Sequence, residues 1–489
     1  ISELTLSLED LSRERLSYDE LFSHQLSLAL ARLNYRSQKG FSTKGGKVLR
    51  DKIISELGYS LTYAQEKVLD EILSDMAAPI RMNRLLQGDV GSGKTVVAFL
   101  ALVTATSDGG QGVIMAPTEI LVHQHFESFS KLSNLIGLKV EILTSRDTGR
   151  NRQNKLNALY KNEVQILIGT HAVFQKDVIF SNLRLVIIDE QHRFGVKQRE
   201  ELINKGFLAD ILVMTATPIP RSLALASYGD MEISIINEKP FGRKPIKTVL
   251  VSNKRISEVI EKLSLAVKKG NQAYWVCPLV EESEISNKIS AEVRHASLLK
   301  SFDKGTVGLV HGQMSNLEKD EAMEAFVSGA TKVLVATTVI EVGVDVPNAT
   351  IMVIERAEGF GLSQLHQLRG RVGRGNLASH CLLMYEHPLS EVGYKRLNTV
   401  RETEDGFEIA EQDLKMRGAG DLIGTAQSGR PGFLFANLET QADLMEVAHT
   451  DARKLIFEDP KLQSDRGRAA RVLLWLMEKN KVVKLLKIG

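Results

Sequence analysis

The segment Gly88-Asp-Val-Gly91-Ser-Gly93-Lys94-Thr95 spaces its residues as glycine, four residues, glycine, lysine, threonine. Glycines there let backbone amides close around phosphate oxygens, and the apolar run Val96-Val-Ala-Phe-Leu-Ala-Leu predicts a helix whose positive N-terminal end faces the same anion. In such a loop Gly88, Asp89, Gly91, Ser92 and Gly93 wrap the phosphates. Lys94 bridges the β- and γ-phosphates, and the Thr95 hydroxyl binds Mg2+. ATP and Mg2+ are therefore the expected cofactors.

Farther along, the apolar strand Leu185-Val-Ile-Ile188 runs straight into Asp189-Glu190-Gln191-His192. A phosphate-binding loop needs an acid at the end of a neighbouring strand to hold the metal, and Asp189 is placed for it. Glu190, pointing elsewhere, is the natural group to orient or deprotonate the attacking water. Upstream, Gln65 offers one donor and one acceptor that match the edge of adenine, and Tyr59 offers a ring to stack on it; a solvated surface glutamine is the plain alternative. The later segment Arg369-Gly-Arg371-Val-Gly-Arg374-Gly concentrates arginines among glycines. Guanidinium groups clamp phosphate bidentately, so Arg371 and Arg374 read as arginine fingers that complete the site when two lobes close. A basic turn gripping a backbone phosphate is the alternative.

Positioning these groups requires parallel sheets. From Tyr59 to about Pro240, short β-branched runs at Val113, Ile166, Leu185 and Ile211 alternate with amphipathic stretches, the pattern of buried strands separated by helices. Glu238 to Pro245 is rich in Pro, Gly and charge and reads as a linker. A second such series follows, at Ala273, Val307, Lys332, Thr350 and Cys381. The expectation is an α/β protein with a helical segment at 1–58, one lobe at 59–240, a second at 241–395, and charged helices at 396–489 with a Gly-rich irregular insert at 418–432. The basic residues Arg466, Arg468, Arg471, Lys479, Lys481, Lys484 and Lys487 read equally as phosphate contacts or as a solvated helix face.

The chain has 489 residues, 43% hydrophobic and 25% charged, with a net charge of +2 and a pI near 8.3. Bulk charge neither demands nor excludes a polyanionic partner. Two cysteines in apolar runs, Cys277 and Cys381, predict buried thiols and a reducing, cytoplasmic setting. No stretch approaches the ~20 unbroken apolar residues of a membrane span. The sequence opens on Ile1 rather than Met, which reads either as a processed form or as part of a longer chain with an upstream domain.

The order and spacing of these motifs resemble superfamily 2 helicases over about residues 59–385. That resemblance implies two RecA-like lobes of the P-loop NTPase fold. It gives Gln65 to adenine and assigns strand contact or coupling to Ala116-Pro-Thr118, to Gly169-Thr170-His171, to Gln191 and His192, to Thr215-Ala-Thr217 and to Thr338. It also adds Gly343 and Asp345 to the nucleotide site and Gln367, beside Arg371 and Arg374, to the catalytic set. Arg81 to Lys94 and Asp189-Glu-Gln-His-Arg-Phe-Gly-Val196 resemble the RecG family of branch-migrating DNA helicases. Residues 405–429 resemble the translocation element that family shares with the transcription-repair coupling factor. Within it a helix at 407–417 is broken by Gly418 and Gly420, and Arg417 and Gln427 are the groups expected to couple hydrolysis to movement. The family's N-terminal wedge domain is not represented in the 489 residues; the segment at 1–58 matches the helical part that follows it.

The implied activity is ATP-driven translocation on double-stranded DNA that remodels forks and Holliday junctions. It implies a monomer in the bacterial cytoplasm near the nucleoid, with branched DNA and single-stranded DNA-binding protein as partners. Rival readings are a duplex translocase acting on stalled RNA polymerase, an RNA helicase, and a P-loop module that binds nucleotide without turnover. Glu190, Arg371 and Arg374 together argue against the last, since a switch without turnover needs neither a water-activating acid nor fingers.

Overall fold

A computed structural model describes residues 2–36, 39–190, 209–229, 231–240, 244–278, 284–337, 346–375, 377–417, 433–438 and 440–479. The chain opens with helices α1 (Ser2–Arg36) and α2 (Lys47–Glu56). The first lobe runs α3 (Tyr63–Ala77), β1 (Asn83–Gly88), α4 (Lys94–Thr106), β2 (Gln111–Met115), α5 (Glu119–Leu135), β3 (Val140–Leu143), α6 (Gly149–Tyr160), β4 (Ile166–Gly169), β5 (Leu183–Ile188), β6 (Asp210–Thr215), α7 (Arg221–Tyr228) and β7 (Glu232–Ile236). Its strands form one parallel sheet in the order β3-β4-β2-β5-β6-β1-β7.

The second lobe runs β8 (Ile246–Ser252), α8 (Ile256–Lys268), β9 (Gln272–Val276), α9 (Glu284–Leu298), β10 (Val307–Val310), α10 (Asn316–Val327), β11 (Val333–Ala336), β12 (Ala349–Ile354), α11 (Leu362–Arg369), β13 (Ser379–Tyr385) and α12 (Glu391–Glu402). Its sheet is also parallel, in the order β10-β11-β9-β12-β13-β8. Parallel strands need crossover helices, so both faces of each sheet are covered and the strands are apolar almost throughout. Each sheet accordingly has a core on either side. In lobe one, Phe99, Ile114 and Ile187 belong to one layer and Val113, Val186 and Ile188 to the other. In lobe two, Tyr274 and Ile354 lie opposite Trp275 and Val353. Cys277 and Cys381 are fully buried free thiols, and burial pushes Cys381 up to about 12.

After α13 (Gly406–Arg417), helices α14 (Ala442–Glu458) and α15 (Asp465–Leu476) return to the front of the chain. A third core joins them to α1 and α7 through Leu21, Leu26, Leu223, Met445 and Leu474. The Glu20 carboxylate accepts from the successive amides of Leu434, Phe435 and Ala436 at 2.7, 2.8 and 2.9 Å. On lobe one, Gln25 donates to the Leu225 carbonyl at 3.0 Å and His24 sits 2.7 Å from that of Ala226. The polypeptide thus leaves lobe two at α13 and is seated again on lobe one. No helix among the described residues is long and apolar enough to cross a membrane.

Candidate active site

Apart from Tyr59 and Gln65, which lie before and on α3, the described candidate groups of lobe one emerge at the C-terminal ends of adjacent strands, the edge where open parallel sheets bind ligands. β1 leads into the phosphate loop, its neighbour β6 into Thr215-Ala-Thr217, β5 into Asp189-Glu190, β2 into Ala116-Pro-Thr118, and β4 into Thr170-His171.

The phosphate loop is bent by positive φ at Gly91 (75°) and Gly93 (88°), and Gly93 is the N-cap residue of α4. A side chain at Gly93 is excluded twice over, because a Cβ would also fall 2.1 Å from Gln65 Nε2. Lys94 Nζ donates to the carbonyls of Gly88 (2.8 Å) and Asp89 (2.9 Å). Burial pushes its ammonium down, and the charges of Glu190, Asp189 and Asp89 push back. The Ser92 hydroxyl is buried with no hydrogen-bond partner, and Thr95 is exposed at the mouth of the loop.

Asp189 is fixed by its amide, which donates to the Met115 carbonyl at 2.9 Å, and by His125 Nε2, which lies 2.9 Å from its Oδ2. Glu190 turns away from the strand in left-handed backbone, φ 52°. Its Oε2 accepts from the Ala216 amide at 3.4 Å. Burial and the Asp189 charge raise the Glu190 carboxyl above the ordinary range, against Lys94, Arg371 and the Ala216 amide. A carboxylate that holds a proton more readily is better suited to accept one from water. Thr215 and Thr217 join side chain to side chain at 2.7 Å, which stiffens the loop presenting that amide.

The lobes meet over a cavity of about 1290 Å³, into which Lys94, Thr95, Asp189 and Glu190 project from lobe one and Arg371 and Arg374 from lobe two. Arg371 is buried, and Arg374 Nε donates to the Gly370 carbonyl at 3.3 Å. A second contact crosses the cleft beside them, where His366 Nε2 sits 2.6 Å from Asp89 Oδ1. Burial alone would raise the Asp89 carboxyl, but the His366 and Val90 hydrogen bonds help hold it below the ordinary range.

The remaining candidate residues occupy varied positions. Gln65 does line the cavity, yet its amide is already engaged: Oε1 accepts from the Thr62 amide at 3.0 Å in a capping box, and Nε2 donates to the Ser92 carbonyl at 2.7 Å. In this arrangement the side chain buttresses the phosphate loop. Tyr59 is half-exposed on the rim. Thr118 caps α5 by accepting from the Leu121 amide, Thr170 is buried with an unpartnered hydroxyl, and His171 is exposed. Gln367 is half-buried on α11 and is not itself among the residues lining the cavity. Gln191, His192, Thr338, Gly343, Asp345, Gln427 and the side chain of Arg417 lie outside the described residues. Sequence reasoning missed His125 and His366, since nothing local links either to its acid.

Three family models match: DEAD/DEAH box helicase over residues 62–225, helicase conserved C-terminal domain over 254–376, and ATP-dependent DNA helicase RecG, domain 3, C-terminal, over 403–484. ATP-dependent DNA helicase RecG of Pasteurella multocida is 46% identical over 456 residues, and that of Bacillus subtilis is 47% identical over 453. Each alignment takes in 92% of this chain, and the chain spans 66% of the length of each relative. A solved structure described as RecG bound to a three-way DNA junction superposes with a TM-score of 0.75 at 44% identity, covering 89% of this chain and 57% of that one. From the phosphate loop through the arginine segment to the C-terminal helices, the chain belongs to the RecG family of ATP-dependent DNA helicases.

Proposed function

We propose that this chain is the ATP-driven motor of a double-stranded DNA translocase that remodels branched DNA, reversing forks and migrating Holliday junctions in recombination and repair. The observation that carries the proposal is the single cavity shared by Lys94, Asp189 and Glu190 of one lobe and Arg371 and Arg374 of the other. Hydrolysis that needs groups from both lobes requires closure, and a cycle of closure and opening is what a motor converts into steps.

The chain's residues fit a nucleotide triphosphate. The Ser92 hydroxyl is an orphaned buried donor, the glycine-bent loop leaves a concavity beside it, and Lys94 stands at its base. Lys94 leaves its carbonyl partners for the β- and γ-phosphates, Glu190 orients and deprotonates the attacking water, and Arg371 and Arg374 steady the charge on the transferring group. Thr95 and Asp189 would hold Mg2+, which when bound neutralises phosphate charge. Tyr59 and Gln65 border the adenine, Gln65 doing so only if its capping bonds exchange. Gly343, Asp345 and Gln367 complete the site from lobe two. Thr118, Thr170, His171, Gln191, His192, Thr215, Thr217 and Thr338 carry strand contact and coupling.

DNA as substrate is supported by the relatives' designation as DNA helicases, and branched DNA by the solved relative bound to a three-way junction. The proposed working form is a bacterial cytoplasmic monomer at the nucleoid, with single-stranded DNA-binding protein as its proposed partner. ATP turnover in the presence of forked DNA, linear duplex, single-stranded DNA or RNA tests the substrate class. Strongest stimulation by duplex-containing DNA is expected, and stimulation by RNA alone would overturn the reading.

A further inference from the structure

One buried polar pair binds lobe two to the phosphate loop, and its chemistry is fixed by a third residue. His366 stands on α11, just ahead of the arginine segment, with Nε2 2.6 Å from Asp89 Oδ1 and side chains exposed only 6% and 14%. Its other nitrogen, Nδ1, lies 2.8 Å from an Arg369 guanidinium nitrogen. Guanidinium only donates, so Nδ1 must be the acceptor and the ring proton must sit on Nε2, from where it is donated to Asp89. Arg369 is itself locked, donating to the carbonyls of Val400 and, at 2.9 Å, Thr403. Both ring nitrogens of His366 are therefore committed in one tautomer between two rigid partners.

The backbone around the pair leaves no slack. A Cβ at Gly370 would approach Val90 Cβ to 3.0 Å, so lobe two rests directly on the phosphate loop. At Gly406, the first residue of α13, a Cβ would fall 2.7 Å from both His366 Nε2 and Pro218 Cγ and 3.3 Å from Asp89 Cγ. The phosphate loop, the loop that follows Thr217 and the start of α13 thus converge on His366.

We propose that His366 is a positioning residue: by donating to Asp89 while accepting from Arg369, it sets the register of Arg371 and Arg374 over the phosphate loop. The inference rests on the hydrolytic reading of the cavity. Loss of the pair leaves the arginines in place on their own segment but lets that segment shift against Lys94, so it depresses turnover more than nucleotide binding.

The test uses the full chain. His366→Ala and Asp89→Ala should each lower DNA-stimulated kcat about tenfold, and the double variant should fall no further than the worse single one, because both remove one interaction. His366→Ala should change KM for ATP by less than about twofold. Gln places an amide nitrogen near the position of Nε2 and Asn near that of Nδ1, so His366→Gln should retain most of kcat and His366→Asn should not. A readout free of turnover is hydrogen exchange in the nucleotide-free chain, where His366→Ala should raise exchange at residues 88–94 and 370–374. Losses that multiply to about a hundredfold in the double variant, equal loss in Gln and Asn, or unchanged exchange would each overturn the proposal. An unmodified chain without DNA-stimulated turnover would instead refute the hydrolytic reading, which separates the two failures.

Discussion

His125 Nε2 lies 2.9 Å from Asp189 Oδ2, joining α5 to the acid at the end of β5, and both side chains are almost wholly buried. A carboxylate that takes a metal is aimed by its other hydrogen-bond partners, whose loss typically costs 10- to 100-fold in metal affinity. His125→Ala is expected to raise the Mg2+ concentration for half-maximal ATP turnover about tenfold. A Mg2+ titration of steady-state turnover measures this, and an unchanged midpoint would show that His125 only packs.

Arg371 is proposed to act in the transition state from the opposite lobe, and a finger of that kind contributes to kcat far more than to ground-state binding. Lysine lacks the planar fork. Arg371→Lys should therefore lower kcat at least about a hundredfold while ATP affinity moves less than about threefold. Near-normal turnover by this variant would remove Arg371 from the catalytic role.

Away from the cleft, Asp210 at the start of β6 accepts from the Met82 amide at 2.7 Å and is pushed up to about 7 by burial, against that hydrogen bond and Arg81. With the folded value above the unfolded one, the protonated acid favours folding. Its stabilisation is complete below the unfolded value near 3.8 and is lost as pH rises through about 7. A rise of this size corresponds to at most about 4 kcal/mol between protonation states. Asp210→Asn keeps the acceptor and cannot ionise, so its Tm should exceed that of the parent by several degrees near pH 8.5, with the gap closing near pH 5. Equal Tm values at about pH 8.5 would contradict the burial argument.

Much of this arrangement is legible in the sequence because its signals are local. The phosphate loop carries its own spacing, and the apolar runs at Val113, Ile166 and Leu185 mark strands buried on both faces. β1 escaped because Arg84 and Gln87 interrupt its apolar run; the fold satisfies Arg84 with Asp75 and Glu71 and Gln87 with the Ile219 carbonyl. The edge strands β3 and β7 are too short and mixed to stand out, and β8 directly follows the segment read as a linker. The pairs His125–Asp189 and Asp89–His366 depend on strand order and on lobe closure, which no local pattern encodes. Gln65 reads as an adenine ligand by type, whereas its place three residues after Thr62 also makes it the last member of a capping box.

The link from chemistry to movement is proposed to pass through α13. Asp413 on that helix caps α11 by accepting from the Leu362 and Ser363 amides at 3.3 and 3.4 Å and from the Ser363 hydroxyl at 2.8 Å. The helix that leads into Arg371 is therefore tied to the helix that ends at Arg417. Arg417→Ala and Gln427→Ala should leave DNA-stimulated turnover substantial while lowering fork unwinding several-fold. A proportional fall in both would place these residues in the ATPase core or in simple DNA affinity.

Displacement of a third strand from a DNA triplex tests most directly whether hydrolysis at the shared cavity drives movement along duplex DNA. The chain with ATP and Mg2+ should release the third strand, while Lys94→Ala and Glu190→Gln should release none and keep the circular dichroism of the parent, because each removes charge or water activation at the transferring phosphate. Release by Glu190→Gln at near-parental rate, or release by the parent with a non-hydrolysable nucleotide, would contradict the account.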